Sequence, residues 1–89
     1  MNSNQNWELK IDAKIDKILA KFPKKDAEKI VTAIDFLIQN PYFGDIEKIK
    51  GEEYTWRRRI GNYRLFYDIK QRERTIIVTW IERRKSHTY

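Results

Sequence analysis

The chain has 89 residues, no cysteine, one histidine and a formal net charge of +6 at pH 7. That length suits one domain spanning residues 1–89. The missing thiols and the single imidazole, His87, exclude a disulfide framework and zinc sites built on several Cys or His ligands.

The opening residues, MNSNQNWELK, lack the basic-then-apolar pattern of a secretory signal. No apolar run approaches the ~20 residues that span a bilayer, so a cytoplasmic location without membrane association is expected. Trp7, Leu9 and Ile11 alternate with Glu8 and Lys10, the period of a half-buried strand. Asp12 is placed to cap a helix in which Ile15, Ile18, Leu19 and Phe22 form one apolar stripe. Pro23 ends it and suits the opening turn of a second helix, whose apolar face is Ala27, Ile30, Val31, Ile34, Leu37 and Ile38. Asn40-Pro41 stops that helix, and the pair reads as an antiparallel hairpin.

A charged connector over residues 42–53 leads to three strand patterns, Tyr54–Ile60, Tyr63–Ile69 and Thr75–Ile81. Gly61-Asn62 separates the first two and Lys70 to Arg74 the last two, so an antiparallel meander is expected. The fold class is α+β: a small, antiparallel-dominated sheet with an N-terminal strand and a two-helix hairpin packed on one face, in the order β-α-α-β-β-β. The opposite face stays open for a ligand. Alternation puts Arg57 and Arg59 on one side of their strand and Trp56 and Arg58 on the other, so the arginine pair, with Arg64 next door, would line a groove. Tyr54 and Trp56 are expected in the core or groove wall, and Trp80 in the core.

The positive charge is unevenly spread. Residues 1–22 carry four lysines against three acids, and residues 23–53 five lysines against seven acids. Residues 54–89 carry ten basic residues, eight of them arginine, against three acids. A guanidinium matches phosphate with a planar fork, so a nucleic acid leads the anionic partners to consider.

Several segments together resemble the RelE/ParE toxin superfamily, and within it the RelE/YoeB-type messenger-RNA interferases. They are Trp7-Glu-Leu-Lys-Ile11, Lys21-Phe22-Pro23, Gln39-Asn40-Pro41, Ile49-Lys50-Gly51, the run from Trp56 to Tyr67, and Arg83-Arg-Lys-Ser86-His-Thr-Tyr89. The resemblance implies the toxin of a type II toxin–antitoxin system, a ribosome-dependent endoribonuclease that cuts messenger RNA in the A site and so inhibits translation. It implies no cofactor and no metal. Its partners would be a cognate antitoxin in a hetero-oligomer, the ribosome and messenger RNA. The spacing Arg83-x-x-Ser86-x-x-Tyr89 resembles the nucleolytic members more than those that poison DNA gyrase.

Metal-free cleavage drives the 2′-hydroxyl onto its own phosphate; it needs a base, cations for the phosphorane and an acid for the departing 5′-oxygen. By resemblance, Arg64 is the phosphate-binding arginine and Arg83 a second one; the competing readings are an ion pair of Arg64 with Asp68 or a helix carboxylate, and a solvated charge for Arg83. Tyr89 resembles the tyrosine that stacks on a base and assists proton transfer, although a phenol with its ordinary pKa near ~10 is a weak acid. His87, the only group that titrates near neutrality without perturbation, competes with it as acid. For the base, one subgroup uses strand lysines, where this chain has Thr55, Arg57 and Arg59. Arginine makes a poor base. Another subgroup uses a glutamate followed three residues later by lysine, the spacing of Glu47 and Lys50. Arg57, Arg59, Lys48, Arg84 and Lys85 are the expected RNA backbone contacts. Two other readings stay open: a gyrase inhibitor without nuclease activity, and a catalytically degenerate RNA-binding relative.

Overall fold

The computed structural model describes residues 7–84, so Lys85, His87 and Tyr89 lie outside the described residues. Strand β1 (Glu8–Ile11) leads into helices α1 (Lys14–Leu19) and α2 (Lys24–Leu37). Strands β2 (Ile46–Lys48), β3 (Thr55–Ile60), β4 (Tyr63–Lys70) and β5 (Thr75–Arg83) follow.

Local chemistry explains the boundaries. The Asp12 carboxylate accepts the Lys14 backbone N–H at 3.0 Å, which starts α1. That same bond holds the Asp12 pKa below its ordinary value. Pro23, with ψ of 144°, stands outside the helical region at the start of α2, and its carbonyl accepts the Ala27 N–H at 2.9 Å. Beyond α2, the Asn40 side chain turns the chain by accepting the Tyr42 N–H at 3.0 Å. Gly61, at φ +58°, opens the two-residue turn between β3 and β4.

The five strands form one sheet in the order β1-β5-β4-β3-β2. Neighbours are antiparallel except β1 and β5, which run parallel. A parallel pair needs a long crossover, supplied here by everything between the two strands. The short edge strand β2 lies within the charged connector over residues 42–53. It forms because Ile46, Glu47 and Lys48 find β3 partners in Arg58, Arg57 and Trp56.

Both helices cover one face. Leu65, Tyr67, Ile69, Ile76, Val78 and Ile81 from the sheet pack against Ile15, Ile30, Ile34 and Leu37. The apolar stripe of α2 is rotated slightly from the one read in the sequence. Ala33 is buried, whereas Val31 is 42% exposed. Polar groups tie the layers together: the Tyr63 hydroxyl donates to Asp26 of α2 at 2.6 Å, and the buried Tyr67 hydroxyl donates to the Pro41 carbonyl at 3.1 Å. Burial pushes the Tyr67 phenol up to about 12, against a smaller opposing pull from Arg58. Burial also raises the Tyr63 phenol, helped by the bond to Asp26 and opposed by Arg83.

One irregularity decides which side chains reach the open face. The β4–β5 ladder shifts register between Phe66 and Tyr67, whose partners are Trp80 and Val78, so Thr79 is the extra residue of a bulge. Simple alternation from Ile76 and Val78 would bury Trp80. The bulge instead puts Ile81 in the core and leaves Trp80 45% exposed, on the face opposite the helices. The expectation of a core Trp80 is therefore corrected.

Candidate nucleic-acid interface

The uncovered sheet face carries two adjacent rows of side chains. Cross-strand partners share a face, so each row can be read from the register. One row runs Glu47, Arg57, Phe66, Trp80 across β2 to β5; the next holds Arg59, Arg64 and Glu82 across β3 to β5. Arg57, Arg59 and Arg64 thus converge on one surface, as their strand positions led us to expect. Arg58 points the other way, over the Phe43 ring at 5.9 Å, with Nη1 buried and without an acceptor among the described residues.

Each of the three open-face arginines has a carboxylate neighbour. Arg57 is ion-paired with Glu47. Arg59 Nε lies 3.6 Å from Asp45, and Arg64 Nη1 donates to Glu82 at 3.2 Å. These partners differ from those considered for Arg64. Asp68 is engaged instead by the Thr55 hydroxyl, which donates to it at 2.7 Å. Asp45 and Glu82 escaped the sequence reading, because only the sheet register brings them beside their arginines. All three pairs are partly solvated, and such pairs contribute little stability. They hold the guanidiniums in place and can yield to a phosphate, which accepts the same forked donation.

Glu47, Lys50 and Arg57 line one shallow recess at the β2 edge, together with Lys48, Ile49 and Gly51. A carboxylate, an ammonium and a guanidinium are thereby gathered beside the arginine rows. Lys48 is tied down locally, donating from Nζ to the Glu52 carbonyl at 2.9 Å. Its backbone stands opposite Trp56, whose ring packs against the core.

Arg83 takes a different place. It is paired with Tyr63 in register and its guanidinium lies 5.8 Å over the Tyr63 ring. Tyr63 belongs to the helix-facing row, so the bulge at Thr79 puts Arg83 on the side of the sheet away from Arg64. Arg84 is exposed and its N–H bonds the Asn62 carbonyl at 2.6 Å. The structure therefore gathers Glu47, Lys50, Arg57, Arg59 and Arg64, and does not bring Arg83 to them.

A second concavity lies on the helix side. Lys29, Thr32, Ala33, Phe36, Phe43, Arg58 and Ile60 line a mostly apolar groove of ≈ 510 Å³ between α2 and β3. Phe43, at its rim, is 52% exposed.

The family model of the ParE toxin of type II toxin–antitoxin systems matches residues 6–86. "Putative toxin RelE1" of Methanocaldococcus jannaschii is 30% identical over 82 residues, covering 89% of this chain and 91% of that protein. A chain of the archaeal RelE–RelB complex from Pyrococcus horikoshii superposes with a TM-score of 0.79 at 23% identity, covering 93% of this chain and 100% of that one. The isolated E. coli RelE toxin superposes with a TM-score of 0.74 at 16% identity, covering 91% and 87%. The structural likenesses extend the RelE-like fold over the sheet and both helices. The chain belongs to the RelE/ParE superfamily, the toxins of type II toxin–antitoxin systems.

Proposed function

We propose that the protein is a ribosome-dependent endoribonuclease that cleaves messenger RNA in the A site by attack of a 2′-hydroxyl on its own phosphate, inhibiting translation. The observation that carries this reading is the convergence of Arg57, Arg59 and Arg64 on the uncovered sheet face, with Glu47 and Lys50 at its rim. The arginines would neutralise the phosphorane as its charge develops. Glu47 would accept the 2′-hydroxyl proton, since a partly solvated carboxylate beside a phosphate-binding row is placed for that step. The acid for the 5′-oxygen would come from His87 or Tyr89, and Arg84 and Lys85 would add contacts to the RNA backbone, while Arg83, held over Tyr63 on the other side of the sheet, would stand outside the arginine rows. A shallow surface of this kind needs its substrate bent and held by another machine, which is the role of the ribosome.

The same reading places the protein in the cytoplasm, silenced by a cognate antitoxin in a hetero-oligomer. RelB antitoxins accompany several of the similar folds, including the P. horikoshii one. The apolar α2–β3 groove and the sheet edges at β1 and β2 suit a partly disordered partner that wraps the toxin.

A second reading, inhibition of DNA gyrase without nuclease activity, is favoured by the ParE family match over residues 6–86. A translation extract with one defined message separates the two. Discrete cuts in ribosome-bound message, lost in Arg64→Ala, are expected. Intact message with gyrase-linked DNA breaks would sink the nuclease.

A further inference from the structure

Trp80 is a large flat side chain left 45% exposed on a face otherwise dominated by charge. Its place there is built, because the bulge at Thr79 turns it out of the core, and bulges re-aim side chains at the cost of ladder pairing. Phe66, its register partner on β4, is half-buried beside it. Arg57 stands opposite Phe66 on the other side, so guanidinium, phenyl and indole follow one another along a single row. Arg64 is two residues from Phe66 on the same face, and Lys14 brings its ammonium to 5.7 Å from the Trp80 ring centroid. Arg57 and Trp80 are two strands apart, about 10 Å at the usual ~4.8 Å strand spacing. That separation matches a nucleotide whose phosphate meets the arginine and whose base reaches the indole.

We propose that Trp80, supported by Phe66, is a stacking platform for an unpaired base of the RNA strand whose phosphates lie on Arg57, Arg59 and Arg64. The assignment rests on the nuclease reading above and adds to it the group that orients the nucleotide. Cations alone hold a strand without fixing its rotation about the backbone. A π-face beneath one base fixes that rotation and tolerates any base identity. Trp80 is thus a positioning and binding residue that takes no proton.

The test uses the purified protein and ribosomes programmed with a short message, either normal or carrying one abasic nucleotide in the A site, scanned position by position. For the natural protein, one abasic position is expected to lower kcat/KM by about 10- to 100-fold. Trp80→Leu should be reduced by a similar factor on the normal message and be indifferent to the abasic change at that position. Trp80→Phe should retain most of the activity and the base dependence, which a change limited to folding would not reproduce. Equal cleavage by Trp80→Leu and the natural protein, with the same abasic profile, overturns the platform and leaves the nuclease reading standing. Absence of cleavage by the natural protein on every programmed ribosome overturns both.

Discussion

Glu47 and Arg57 face each other across β2 and β3, and their side chains form an ion pair at the rim of the open sheet face. The pair joins the candidate base to the first of the three open-face arginines. A phosphate arriving on Arg57 would compete with Glu47 for the guanidinium and leave that carboxylate next to the substrate. Substrate arrival would then free the base where it is needed.

Glu47→Gln keeps the size and one acceptor oxygen but removes the proton acceptor. Single-turnover cleavage on programmed ribosomes is expected to fall by about 10²- to 10⁴-fold. Stability should change by no more than about 1 kcal/mol, because the pair is partly solvated. Cleavage within threefold of the natural protein would move the base elsewhere.

Arg64 is held by Glu82 at 3.2 Å. Glu82→Gln should release it, tightening binding to programmed ribosomes. Arg64→Ala should weaken binding and lower the slope of log affinity against log salt by about one. A salt series on both variants checks the pair; an unchanged slope in Arg64→Ala would show that this side chain meets no phosphate.

The pH dependence of stability has a defined contribution from Tyr67. Its phenol is pushed up to about 12 by burial, so the folded state favours the neutral form. A raised pKa contributes stability that is whole below the unfolded value near ~10 and is lost as pH climbs through the folded value. Denaturant unfolding from about pH 9 to about pH 12 should therefore show a decline above ~10 that Tyr67→Phe reduces. The same variant leaves the Pro41 carbonyl without its donor and should cost about 1–3 kcal/mol at neutral pH.

Gly44 sits at φ +98°, and a Cβ there would meet Arg58 Nε at 3.0 Å. Gly44→Ala is expected to lose about 1–3 kcal/mol from backbone strain. Shortening the neighbour in Gly44→Ala/Arg58→Ala removes the crowding and leaves the φ penalty. Urea unfolding of the single and double variants measures the two parts; a single variant as stable as the natural protein would contradict the strain.

The local periods of the chain were enough to determine the two helices, the three long C-terminal strands and the shared face of Arg57 and Arg59. Those features follow from spacings of two and of three to four residues, which the backbone imposes wherever the pattern occurs. Capping by Asp12 and the stop at Asn40-Pro41 were legible for the same reason. Strand order, the parallel union of β1 with β5 and the three-residue β2 depend on partners far away in the sequence, which no local pattern contains. The bulge at Thr79 is the clearest case. One extra residue, settled only by pairing with β4, reverses the facing of everything after it. It brings Trp80 and Glu82 to the open face and carries Arg83 to the Tyr63 side. The residue types of the candidate phosphate-binding surface were thus written in the chain, while the membership of that surface was decided by a register that exists only in the assembled sheet.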